Sequence, residues 1–280
     1  LAGFQTGQYK VEVGQPIGNM YGFNNQGVYQ YDQSNAYASV NGSYVQLTPV
    51  FNGATFVNYT LNGEVYTGTV AQKKFGPTVL KGGDINWEDL NNDLIIDAER
   101  DRKVVGNGLA KYSGGFYNKM DYKNFSLAFL FNFNIGNDIY RYYDYYRDRS
   151  VNSIHVPGPN RIEGAWKQPG DIAQYPSLQN RTWNAPSLNS GYVSQGDYIR
   201  LRYIRLGYAL DKETIRKLKF INSLDFSFTV NNLVTFTNYE GYNPELSSTG
   251  GGDGSSLQPG WDKLRYPNKS DFIFGLSAQF

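Results

Sequence analysis

Between residues 124 and 135 the chain alternates strictly, placing Phe125, Leu127, Phe129, Phe131, Phe133 and Ile135 at every second position. Asn124, Ser126, Ala128, Asn132 and Asn134 lie between them, with Leu130 as the one large apolar residue of that set. Successive side chains of a strand point to opposite faces, so a period of two dictates one oily and one polar face. Four phenylalanines on one side within about ten residues are rarer in a soluble sandwich strand than in a wall that faces lipid. The pattern returns at 223–235, where Leu224, Phe226, Phe228 and Val230 alternate with Asp225, Ser227, Thr229 and Asn231. It returns again at 271–280, with Phe272, Phe274, Leu276, Ala278 and Phe280 against Gly275, Ser277 and Gln279.

Residues 198–210 alternate with a break. Ile199, Leu201 and Tyr203 are interleaved with Arg200 and Arg202, and then Ile204, Leu206 and Tyr208 continue in the opposite phase. A bulge near Tyr203, or a strand leaving the membrane there, would reconcile the two phases. Residues 8–13 and 113–121 are weaker strand candidates, and 212–218 is a short helix or a polar turn. Stretches 82–102, 147–196 and 239–268 are rich in Gly, Asn, Pro and Ser and too long for ordinary connections in a compact domain. Long loops at one end and short turns at the other are what an outer-membrane barrel predicts.

Composition narrows the alternatives. The mean hydropathy of -0.52 would suit a soluble protein, yet a barrel wall is apolar at only every second residue and averages low in the same way. No run of about 18 apolar residues exists, which rules out a membrane-spanning helix and leaves a barrel open. The 24 Tyr and 17 Phe suit a lipid-facing wall with interfacial girdles. A formal charge of +1 provides no basic field, so nucleic acid is not an expected partner. With no cysteine, disulfide staples, zinc-thiolate sites and cysteine nucleophiles are excluded. The chain begins Leu1-Ala2-Gly3 with no leader pattern, so the expectation is that a leader was removed or that this is a piece.

Candidate sites are few. Asp89, Asn91, Asp93 and Asp97, with the backbone carbonyl of Ile95, follow the spacing by which EF-hand-like loops wrap calcium. Two positions depart from it: Leu94 stands where the sharp turn wants glycine, and Arg100 where a carboxylate should close the loop, with Glu99 and Asp101 on either side. The competing expectation is a loop in which Asx side chains cap turns. His155 is the only histidine and has no G-x-S-x-G elbow to serve, so it reads as a loop residue and no enzyme chemistry is expected. The glycine-rich run 250–256 lacks the Lys-Ser/Thr of a phosphate-binding loop. Residues 138–149 interleave tyrosines with charges and read mainly as an aromatic girdle passing into a loop, with Tyr142, Tyr145 and Tyr146 as candidate contacts for a substrate or partner.

Five segments carry a family resemblance. Residues 13–23 (VGQPIGNMYGF) with 27–30 (GVYQ) come first, then 83–93 (GDINWEDLNND) with 105–107 and 112–116. Residues 166–171 (WKQPGD), 196–202 (GDYIRLR) with 206–208, and 231–237 (NNLVTFT) with 239–245 (YEGYNPE) complete the set. In this order they resemble SusC/RagA-like TonB-dependent outer-membrane transporters. The resemblance implies an all-β chain forming part of a large antiparallel transmembrane barrel of the 22-stranded, plugged class, with residues 1–280 as its C-terminal segment. Roughly eight to twelve strands of about ten residues would come from this length. The plug, the TonB box and the first barrel strands would lie elsewhere. It further implies nutrient import, of a glycan or peptide, across a bacterial outer membrane, with a SusD-like surface lipoprotein as lid and TonB acting through the missing N-terminal region. The rival expectation is a soluble all-β carbohydrate-binding module with Tyr and Trp platforms.

Overall fold

The computed structural model describes all residues except 1–2, 7, 149–156, 180, 187, 219, 247–257 and 265. His155 and the glycine-rich run 250–256 therefore lie outside the described residues. Contacts divide the chain into two compact units. The first comprises residues 1–106 and 141–193, and the second residues 107–140 and 194–280.

The second unit is a single five-stranded antiparallel sheet in chain order: β1 (Tyr112–Tyr122), β2 (Phe125–Ile135), β3 (Tyr198–Ala209), β4 (Ser223–Thr237) and β5 (Asp271–Gln279). Every segment with period-two alternation became one of these strands, and 113–121, the weaker candidate, became full-length β1. The phase change in β3 is a bulge. Against β2, Leu130 and Phe131 face Tyr203 and Leu201, which leaves Arg202 as the extra residue, and against β4 the two residues Asn232 and Leu233 stand opposite Arg202. Lys123, at φ 53, helps form the two-residue turn from β1 to β2. The β3–β4 connection holds the short helix Lys212–Leu218, whose first turn is capped by Asp211 through the Thr214 N–H and hydroxyl, each at 2.8 Å.

The first unit is built from short strands. Asn41-Gly42 (φ 51 and 81) turns Tyr37–Val40 into Ser43–Gln46, and Asn62-Gly63 (φ 53 and 89) turns Thr55–Leu61 into Glu64–Tyr66. Both are the left-handed pairs that match the twist of a hairpin. The core gathers Phe23, Tyr29, Leu80, Ile85, Trp87 and Ile96, with Phe75 and Trp183 against it, and Trp87 Nε1 donates to the Trp183 carbonyl at 3.0 Å.

This corrects the loop expected over 82–102. Ile85–Trp87 pairs with Asn25–Val28, Ile95–Ile96 pairs with Lys74–Phe75, and Trp87 and Ile96 are fully buried. Among the described residues only five strands reach nine residues, fewer than the eight to twelve expected, because the first third of the chain goes into this unit. Lys73 lies inside it, with Nζ donating to Asn86 Oδ1 at 2.8 Å and to the Trp87 carbonyl at 2.7 Å. Burial pushes its pKa down to about 8.

Candidate functional site: a two-faced strand wall and its arginine anchor

Register turns the alternation of each strand into rows across the sheet. One row is Tyr122, Phe125, Tyr208, Phe226 and Leu276, and the next on the same face is Met120, Leu127, Leu206, Phe228 and Phe274. Between them on the opposite face run Asp121, Ser126, Gly207, Ser227 and Gly275, followed by Lys119, Ala128, Arg205, Thr229 and Ile273. The apolar face is uncovered: Phe125 is 62%, Leu276 67% and Phe274 82% exposed. Apolar area on this scale is costly in water at about 25 cal/mol per Å². The charges of the sheet gather on its other face.

The polar face is anchored by Arg200, 3% exposed. Its Nε donates to Thr235 Oγ1 at 2.7 Å on β4, Nη2 to Asn243 Oδ1 at 2.9 Å, and Nη1 pairs closely with Glu245. Glu245 Oε2 also accepts from Arg202 Nη1 at 2.9 Å and Asn268 Nδ2 at 3.1 Å. One carboxylate thus ties both limbs of the β4–β5 connection to Arg200 and Arg202 of β3. Further along that connection, the Tyr239 hydroxyl donates to Asp262 Oδ2 at 2.5 Å, and Tyr140 packs edge-on to Trp261 at 4.9 Å. Sequence reasoning passed over this hub. The signal available was a run of arginines, Arg200, Arg202 and Arg205, interleaved with the oily positions of β3.

The tyrosines proposed as contacts lie elsewhere, in the first unit, on the helix Tyr142–Asp148. The chain there is helical where a loop was expected. Tyr142 meets Tyr145 and Tyr146 at helical spacing, both at 6.0 Å, and Asp144 pairs with Arg141 and Arg147 at 3.1 and 3.0 Å. Tyr145 is buried against Tyr192, while Tyr142 and Tyr146 are half-buried.

The acidic loop of the first unit has a backbone turn like that of a calcium loop, and its carboxylates hydrogen-bond within the loop. Leu94 adopts φ 62 at the position where such loops take glycine. Asp89 spends both carboxylate oxygens on the N–H groups of Asn92 (2.7 Å), Asp93 (3.3 Å) and Leu94 (2.7 Å). Asp101 accepts from the Leu90 and Asp97 N–H groups at 2.9 and 2.8 Å. The Arg100 guanidinium bridges the rest, with Nη1 2.7 Å from Asp93 Oδ2, and Nη2 2.6 Å and Nε 2.8 Å from Asp97 Oδ2. The backbone N–H of Arg100, more than any other contact, holds the Asp97 carboxyl below its usual range. Among the described residues no three acidic or imidazole side chains converge as a metal cage requires.

Comparison with known proteins adds three findings. No family model matches the chain. It is 51% identical over 280 residues to TonB-dependent receptor P39 of Formosa agariphila, covering 99% of this chain and 26% of that protein. It is 26% identical over 234 residues to TonB-dependent receptor P26 of the same organism, 22% of whose length it covers. Among solved structures it superposes on the RagAB peptide importer in the open-open state with a TM-score of 0.64 at 15% identity, covering the whole chain and 24% of that one. The closed-closed state gives 0.63 at 15% identity. The chain thus spans about a quarter of the length of the relatives it matches.

Proposed function

From a chain that is similar, end to end, to a quarter-length portion of TonB-dependent receptors, we propose that it forms part of the wall of an outer-membrane barrel that imports a nutrient. The observation that carries this reading is the two-faced sheet. An uncovered face bearing Phe125, Leu127, Phe228 and Phe274 suits acyl chains, and the opposite face, with Arg200, Arg205 and Thr229, suits a wet passage. The sheet is open, each of β1 and β5 having one neighbour within it. Unpaired strand edges are not tolerated in a bilayer, so the wall is continued by strands outside this chain until it closes. At one end of the sheet lie the tight β1–β2 turn and the short β3–β4 connection, and from the other depart the connections 136–197 and 238–270. That end faces the cell exterior.

In this reading the β4–β5 connection, fixed by Glu245 to Arg200, lies on the passage side and narrows it. A surface lipoprotein of SusD-like class acts as lid, and TonB supplies energy through parts of the polypeptide beyond this chain. The cargo is a glycan or a peptide, moved without chemical change. The peptide importer among the structural neighbours supports the second cargo by analogy of fold alone.

The test uses the complete polypeptide, tagged in the bacterium that makes it. It should fractionate with the outer membrane, stay monodisperse only in detergent and bring down a surface lipoprotein. Recovery as a detergent-free soluble monomer would overturn the barrel, and return the soluble carbohydrate-binding module to first place.

A further inference from the structure

We propose that Arg100 is the built-in cation of the loop 89–101, standing where a divalent metal would otherwise be required. Folding of the first unit is then independent of calcium. Such a loop needs positive charge because Asp89, Asp93, Asp97, Glu99 and Asp101 all fall within its span. A calcium loop draws that charge from the ion and turns sharply on glycine. Here the turn is kept, by Leu94 at φ 62, but the Leu94 side chain is buried in the unit. The charge comes instead from the position where a calcium loop has its closing carboxylate. A guanidinium is planar, always protonated and able to bridge two carboxylates, and Arg100 does so between Asp93 and Asp97. Of the other carboxylates, Asp89 and Asp101 accept backbone N–H groups, so each of their four oxygens has a donor without metal. This inference does not depend on the transport reading, since it concerns one loop in a unit apart from the strand wall.

Three forms of the complete polypeptide in detergent decide it: wild type, Arg100→Gln and Arg100→Glu. Terbium luminescence reads ion binding, and hydrogen exchange of peptides covering 89–102 reads local order, each with chelator and with calcium. Wild type should show no saturable terbium site and the same exchange in both conditions. Arg100→Gln should exchange a few-fold faster with chelator, the scale on which a solvent-exposed ion pair acts. Arg100→Glu restores the closing carboxylate and should gain terbium binding, with exchange slowed by calcium. Exchange elsewhere in the chain reports whether each variant is folded. A one-to-one terbium site in wild type that is lost in Asp93→Asn would overturn the proposal. So would a folded Arg100→Gln whose loop exchanges like wild type in chelator.

Discussion

The two units solve opposite solvent problems with similar residues. In the first, Trp87, Leu80 and Ile96 are fully buried and the hairpin strands are short. In the second, Phe125, Phe274 and Leu276 are turned outward, and what is hidden is a charge, Arg200. The first has an apolar core in which side-chain contact holds the strands, whereas the second is a sheet whose apolar face is uncovered. Aromatic content alone does not separate them, since both are rich in Tyr and Phe. What separates them is whether the aromatics recur at every second residue.

The largest effect that would test this contrast falls on the core of the first unit. Trp87→Ala removes its largest buried side chain and should cost about 3–5 kcal/mol. Hydrogen exchange should then rise across peptides of residues 9–106 and remain as in wild type across β1 to β5. Equal loss of protection in both units would show that they do not fold as separate bodies. Next comes a pair on neighbouring positions of β2. Phe129→Arg places a charge on the apolar face and should cost about 2–4 kcal/mol in a bilayer, while Ala128→Arg, on the polar face beside Arg205, should cost about 1 kcal/mol or less. The folded fraction by heat-modifiable mobility in a urea series measures both. Equal sensitivity would remove the two-faced wall.

That contrast also explains what sequence made legible. Each strand of the second unit could be read from a local window, since Phe125 to Ile135 states its own periodicity and even the slip at Tyr203 showed as a change of phase. The first unit was misread because its strands are two to seven residues long and are completed by partners far away. Ile85–Trp87 finds its partner at Asn25–Val28, and nothing inside 82–102 announces that. Two local signals were present and unused, the Asn-Gly pairs at 41–42 and 62–63. The calcium-like spacing of Asp89 to Asp97 was legible, but the reach of Arg100 to both carboxylates is a matter of side-chain geometry. The Arg200–Glu245 hub was invisible for the same reason as the core, since it joins positions 45 residues apart.

The two units also bury cations differently, and pH separates them. Arg200 meets a carboxylate, Glu245, together with the side-chain oxygens of Asn243 and Thr235. Lys73 touches only neutral oxygens, with Asp89, Asp101 and Glu88 acting from a distance. Its folded pKa, about 8, lies below its ordinary value of 10.5, so between those values the unfolded chain holds a proton that the folded one has released. Stability of the first unit should therefore rise with pH above about 8, by an amount on the order of 1 kcal/mol by pH 9. Nearer pH 10 Tyr9, Tyr29, Tyr37 and Tyr192, whose pKa values burial raises, oppose the trend as tyrosines of the unfolded chain ionise. Urea melts followed by exchange of first-unit peptides should show the rise in wild type and a flat line in Lys73→Met. A rise that survives in Lys73→Met would assign it to another group.

The smallest effects compare two glycines kept for different reasons. Gly63, at φ 89 in the Asn62-Gly63 turn, has open space around the position a Cβ would take, so only backbone conformation opposes a side chain there. Gly63→Ala should cost about 1 kcal/mol, all of it in the first unit. Gly114 on β1 has no such conformation. A Cβ there meets the Phe133 ring, with Cζ at 3.0 Å and Cε1 at 3.2 Å, on the uncovered apolar face. That ring can swing aside into lipid without opening a cavity, so Gly114→Ala should change stability by no more than about 0.5 kcal/mol. A buried core has no room for that movement, because its neighbours are close-packed. If Gly114→Ala proves as costly as Gly63→Ala, the Phe133 ring is held as a core residue is held. The outward face of the sheet would then be a protein interface and not a lipid surface.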